Sequence, residues 1–300
     1  MTNHKKKILI GILVIATLSL IYLLRLEAIG WYFWHNSQSI SEKHALNLKN
    51  YRVEIDGLKI KGIENASELA YNSNTNTLFT VLNKENKIVE LSLAGKVLRV
   101  VDVEGVNDME GITYIDNNRF VIADEHDSRL ILLDLEPHVT ELNVKDSPKI
   151  RLGINESSNK NLEGVSWDDR QQKLLVVKER DPKYVISVKG FVNASKSEVL
   201  DLEIESLHKY DHMLAWAMRD LSAVKYLSKS GHTLLLSDES KLVKEFDENA
   251  KPLGAMALWA GFHGLLNNIP QAEGITIDSK NNIYIISEPN LFYVFKPKIN

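Results

Sequence analysis

The chain has 300 residues, 44% of them hydrophobic, which is enough for a sizeable core in one large domain or two small ones. Its formal net charge is −4, so nothing points to a basic face for nucleic acid. It holds no cysteine, which excludes disulfides, thiol catalysis, thiolate metal sites and lipidation at cysteine.

At the amino end, His4 and three lysines, Lys5, Lys6 and Lys7, precede an uncharged apolar run, Ile8–Leu24. The run sits at the low end of the ~17–25 residues that span a bilayer. Leu26–Trp34 (LEAIGWYFW) adds aromatic side chains suited to a membrane interface. No small-x-small cleavage site follows the run; Arg25 and bulky residues stand there instead. The segment therefore reads as an uncut signal anchor rather than a cleaved signal peptide. Lysines before the span put residues 1–7 in the cytoplasm and the rest of the chain outside the inner membrane. The predicted organisation is a tail over 1–7, a transmembrane anchor with its aromatic flank over 8–34, a polar tether over 35–50 and one domain over 51–300.

Within that domain one phrase returns. NDMEGITYIDNNRFVIADE (Asn107–Glu125) is echoed by NLEGVSWDDRQQKLLVVKE (Asn161–Glu179), DLSAVKYLSKSGHTLLLSDE (Asp220–Glu239) and QAEGITIDSKNNIYIISE (Gln271–Glu288). A degenerate first copy is NASELAYNSNTNTLFTVLN (Asn65–Asn83). Self-similarity at roughly 40–60 residues marks a propeller or solenoid. Each copy reads as strand, polar turn, strand, and a third strand follows each time. A fourth follows the first four copies, from Lys96, Val139, Ser197 and Pro252. Four antiparallel strands make one propeller blade. The fifth unit stops after three strands, and the unassigned strand Tyr51–Ile60 would complete it and close the ring. The expectation is an all-β propeller of five blades, with a sixth as the alternative, hidden in Ser197–Arg219. In that gap the apolar spacing of Leu207–Leu221 predicts a helix packed over one face.

The phrases MEGITY, NRFVIADE, LEGVSW, QAEGITID and NIYIISEPNLFYVF resemble the SdiA-regulated family of bacterial envelope proteins, the YjiK-like proteins. The resemblance runs from about Tyr51 to the end and includes the layout of anchor plus ectodomain. It implies a β-propeller held on the inner membrane, and it implies no particular activity.

Aligning the copies places Ser67, Glu110, Glu163, Ser222 and Glu273 in one column. Two residues earlier come Asn65, Asp108, Asn161, Asp220 and Gln271, and the second strands end at Asn83, Glu125, Glu179, Glu239 and Glu288. The start of a blade's first strand and the end of its second share a face, so these groups are expected around the mouth of the central channel. Crowded carboxylates respond by raising their pKa values, by pairing with Lys or Arg, or by binding a cation. Lys178, Arg180 and Arg129 are near enough in sequence for internal pairing. An oxygen-rich site without cysteine or repeated histidine suits Ca²⁺ or Mg²⁺ better than zinc. The metal candidates are Glu110, Glu163 and Glu273 with Glu125, Glu179, Glu239 and Glu288; Asp108, Asn161, Asp220 and His263 are ligand-binding candidates. The competing reading is structural: the glutamates tie blades together by accepting neighbouring backbone N–H groups, and the Gly after each Glu permits the close approach.

His208 and His212 have the i, i+4 spacing of a zinc pair but lack the intervening Glu of HExxH, so they read as surface residues. No GxSxG or phosphate-loop phrase occurs. The functional expectation is a binding domain for an envelope protein or a small ligand, with Ca²⁺ at its acidic mouth. The alternative is a metal-dependent hydrolase of lactones or phosphate esters that uses the same carboxylates, an analogy at the level of fold.

Overall fold

The structure is a computed structural model and describes residues 3–38, 42, 44–153, 162–180, 182–193 and 201–298. Five sheets form five blades. Their innermost strands are Ala66–Asn72, Met109–Asp116, Leu162–Asp168, Ala223–Leu227 and Gln271–Ile277. Each inner strand packs on that of the next blade, and the fifth packs on the first, so the ring closes. Blade 5 takes its outer strand from the start of the domain: Tyr51–Lys59 pairs antiparallel with Leu291–Pro297. Closure thus joins the two ends of the domain and leaves no open seam.

The strands form where the sequence alternates short apolar runs with turn residues. The turn between first and second strands needs one residue at positive φ in every blade. Asn76, Asn117, Gln172, Gly231 and Asn281 supply it, at 55°, 46°, 54°, 81° and 65°. In three blades an Asx turn helps: Asn72, Asp168 and Asp278 each accept backbone N–H groups two and three or more residues on.

The core is divided among the blade interfaces. One cluster of buried apolar residues lies between each pair of neighbours, for example Phe79, Val81, Ile112, Phe120 and Ile122 between blades 1 and 2. Leu234, Leu236, Ile275, Ile283 and Phe295 do the same between blades 4 and 5. Sheets covered on both faces explain the nearly unbroken apolar strands.

One strand assignment changes. The run from Val139 does not form the outer strand of blade 2 that its sequence predicts. Instead Glu141–Asn143 pairs in parallel with the outer strand of blade 1, Val97–Glu104. Lys149–Arg151 takes the outer place in blade 2, against Arg129, Leu130 and Ile131. The cause is apolar: Val144 is buried and Val139 and Leu142 half-buried in the interface between blades 1 and 2, which draws this stretch onto blade 1. The described residues of the insert after blade 3 include a short 3-10 turn, His208–Tyr210, that leads into a helix, Asp211–Ala217, whose Leu214 joins the core between blades 3 and 4. It is no blade.

The amino-terminal helix α1, Asn3–Leu23, is long and apolar enough to cross a membrane, and none of it is buried. A second helix, α2, Leu26–Ser37, contains the aromatic flank and lies on the outer strand of blade 4. Its Ala28 and Tyr32 pack with Leu242, Ala255 and Ala257. Arg219, just before blade 4, ties the junction down. Its guanidinium bonds Glu27 and the Tyr22 carbonyl and lies 4.0 Å from the Tyr22 ring centroid.

Candidate functional site

Four of the inner strands carry a β-bulge at their start, between Ala66 and Leu69, Met109 and Gly111, Leu162 and Val165, and Ala272 and Gly274. A bulge re-aims a side chain at a sheet edge. These bulges fall where the aligned column holds Ser67, Glu110, Glu163 and Glu273. The glycines beside the glutamates explain the close packing. A Cβ on Gly111 would lie 2.6 Å from the Glu163 carbonyl oxygen, and one on Gly274 would lie 2.6 Å from the backbone of Glu68. A Cβ on Gly164 would sit 2.8 Å from the Ala223 Cα. Only a bare backbone permits the inner strands to approach this far.

The glutamates therefore meet. Glu110, Glu163 and Glu273 line one cavity of about 310 Å³ on the axis, together with Glu179, Glu239, Glu288 and Asp220. Glu125 joins through Glu110: one ligand atom from each of Asp108, Glu110 and Glu125 lies within 4.8 Å of the others. Burial, reinforced by neighbouring carboxylates, holds the central acids partly protonated. Glu110 is pushed up to about 8 and Glu273 to about 7, while Glu163 lies well above the carboxylate range. Asp108 and Asp220 are raised too, chiefly by burial. Asn161 lies outside the described residues.

The remaining rim groups have partners. Arg180 bridges Glu179 and Glu239. Asn83 Nδ2 donates to Glu110 at 3.0 Å and to Glu288 at 3.2 Å. Its buried Oδ1 has no hydrogen-bond partner among the described residues. Arg129 pairs with Asp124 and Asp127.

Backbone pinning is carried out mainly by other acids. Asp238 accepts the Ala272 N–H, Asp124 accepts that of Asp108, and Asp220 accepts those of Glu239 and, from its side chain, Ser237 Oγ–H. Glu68 does the same on the axis, accepting the N–H groups of Leu69 and Ile275 at 2.9 and 3.0 Å. Glu68 is hidden in the repeat because it follows Ser67 and stands where the other blades have Gly or Ala. That substitution, a carboxylate in a column of Gly111, Gly164, Ala223 and Gly274, was the available signal.

His263 lies elsewhere. It is buried between α2 and the closing strand, where Nδ1–H donates to the Tyr51 carbonyl at 2.9 Å and Nε2 accepts the Ala257 N–H at 3.2 Å. Burial lowers its pKa, so it is a neutral structural linker with no place in the acidic cavity. His208 pairs with Asp211 at 2.8 Å on the surface.

Fold and site together define a class: a five-bladed propeller whose axis opens on one face into a carboxylate-lined cavity. The chain belongs to the SdiA-regulated family, whose model matches residues 43–296. Among solved structures it is similar to a luciferin-regenerating enzyme, at 10% identity and TM-score 0.52, over 81% of this chain and 95% of that one. A streptogramin B lyase matches at 10% identity and TM-score 0.49, over 84% and 99% of the two chains. The WD40 propeller domain of Doa1 matches at 13% and 0.49, over 83% and 97%. Propellers host many chemistries, so such likenesses concern the fold alone.

Proposed function

We propose that this protein is a membrane-anchored, extracytoplasmic binding domain that holds Ca²⁺ at the acidic mouth of its propeller. The observation that carries this reading is the convergence of Glu110, Glu163 and Glu273 in one cavity. No lysine or arginine forms an ion pair with any of the three among the described residues. Such a cluster gains from a hard cation, which replaces shared protons and removes mutual repulsion. The unpartnered Asn83 Oδ1 supplies a neutral oxygen of the kind Ca²⁺ also takes. The apolar helix α1 and the lysines that precede its core support an inner-membrane anchor with the propeller outside.

The test is thermal unfolding of the full chain in detergent, with EDTA or with millimolar Ca²⁺. A ligand that binds only the native state raises Tm. An unchanged Tm removes the reading. So does an equal rise in the double variant Glu163→Gln, Glu273→Gln.

A second reading is a Ca²⁺-dependent hydrolase of lactones or phosphate esters. It draws on the Asp108, Glu110 and Glu125 trio, where Glu110, pushed up to about 8, has the basicity of a general base near neutral pH. A screen with generic lactones and phosphate esters tests it. Turnover abolished by Glu110→Gln and by EDTA supports it; no turnover, or turnover that survives either, refutes it.

A further inference from the structure

The opposite end of the channel holds a second cavity of about 520 Å³, lined by residues from all five blades. Four places after Ser67, Glu110, Glu163, Ser222 and Glu273, toward the far ends of the inner strands, stand Tyr71, Tyr114, Trp167, Tyr226 and Ile277. All five side chains line this cavity. The repeat that sets carboxylates at one mouth thus sets four aromatic residues and Ile277 at the other.

One place before the aromatic column the blades carry Ala70, Thr113, Ser166, Lys225 and Thr276. Four of these are small. Thr113 and Ser166 use their hydroxyls to accept the N–H groups of Trp167 and Tyr226 in the next blade, at 3.1 and 2.9 Å. Lys225 is too long for that role and reaches into the cavity instead. Its amine makes no hydrogen bond or ion pair among the described residues. The acid nearest along the axis, Glu68, spends Oε1 on two backbone N–H groups, and its buried Oε2 has no hydrogen-bond partner among the described residues. Glu68 and Asp169 act on the Lys225 amine through charge alone, against the burial that lowers its pKa. The other charges at this mouth are differently placed. Asp278 is satisfied by Lys280 N, by the backbone and side chain of Asn282, and by Tyr284. Lys229 donates to the Ser279 carbonyl. Asp169 is exposed at the rim.

We infer that this cavity binds a small planar organic anion, an aromatic ring system bearing a carboxylate. The ring lies against the walls of Tyr71, Tyr114, Trp167 and Tyr226, which offer flat apolar faces at little entropic cost. The carboxylate accepts from the Lys225 ammonium, a charge-assisted bond in a site of low dielectric. The volume lies within the range of about 300–1,000 Å³ usual for small-molecule sites. This site is separate from the acidic mouth and does not depend on Ca²⁺ there.

The probe is 2-naphthoate, with the neutral 2-naphthamide as its control, titrated into the full chain in non-ionic detergent and followed by calorimetry and tryptophan fluorescence. The expected result is saturable 2-naphthoate binding at least tenfold tighter than that of the amide. Lys225→Met abolishes the preference for the anion, and Trp167→Leu weakens both ligands. Both affinities are the same in EDTA and in millimolar Ca²⁺, which separates this site from the acidic one. If Lys225→Met does not fold by circular dichroism, Lys225→Gln and the amide comparison in the native protein carry the test. Absence of saturable binding, or an anion preference that survives loss of the amine, overturns the proposal and leaves Lys225 as a countercharge for Glu68.

Discussion

Glu273 offers the sharpest quantitative consequence of crowding acids on the axis. Its pKa rises from the usual 4.5 to about 7 on folding, first because of burial and then because of Asp238, Glu288 and Asp220. The folded state therefore binds the proton more tightly than the unfolded chain. Stability from this group is complete below pH 4.5 and is lost as pH rises through about 7. At about 1.4 kcal/mol per pH unit, the loss at pH 8 is roughly 3 kcal/mol for this residue. Glu110, raised to about 8, extends the same decline upward. For a domain this size, roughly 2–4 °C accompanies each kcal/mol, so the part of that loss falling between pH 5 and pH 8, about 2.5 kcal/mol, lowers Tm in EDTA by about 5–10 °C from Glu273 alone. Glu273→Gln removes that part of the slope and makes the metal-free protein more stable than the native sequence at pH 8. Ca²⁺ competes with the protons, so its stabilisation is larger at pH 8 than at pH 5.5, reaching about 2.7 kcal/mol at a hundredfold excess over Kd. Circular-dichroism melts across this range measure all three effects. A Tm that is flat or rises with pH in EDTA, or an unaltered slope in Glu273→Gln, would show that the folded Glu273 carboxyl is not held protonated.

Glu68→Ala strips two buried N–H groups of their acceptor and is expected to cost roughly 2–5 kcal/mol, read as a lower urea midpoint at unchanged m-value. Gly274→Ala drives a Cβ to 2.6 Å from the Glu68 backbone, where no flexible side chain can yield. A loss of about 1–3 kcal/mol or more in the same titration is expected, and a neutral result contradicts the packing described. Arg219→Ala releases the junction of the two amino-terminal helices from blade 4. Hydrogen exchange over Leu26–Ser37 should quicken while the inner strands stay protected; unchanged exchange in that helix counts against the docking.

The propeller was legible because its period is written in the sequence. Matched Glu-Gly starts and polar turns such as Asn117–Asn118 fix where each blade begins, and the spare strand before Asn65 announces the closure. The outer strand of blade 2 was not, because Glu141–Asn143 and Lys149–Arg151 are equally short and only the interface burying Val144 decides between them. Convergence of Glu110, Glu163 and Glu273 follows from their common column. The division of labour among acids does not. Which carboxylate pins a backbone and which stands free depends on bulges and on partners such as Arg180, which bridges Glu179 and Glu239 across two blades. His263 was misleading for a related reason: its loop precedes blade 5, yet the loop folds outward onto α2 and Tyr51. The four aromatic residues were present in the same alignment, four columns beyond the glutamates.

Anomalous scattering from crystals of the propeller grown with Ca²⁺ tests the central claim most directly. A bound Ca²⁺ gives a peak on the axis within about 2.3–2.6 Å of oxygens from at least two of Glu110, Glu163 and Glu273. A fully occupied lattice soaked in millimolar Ca²⁺ with no peak in that cavity, or with the three side chains turned away from one another, would contradict that claim.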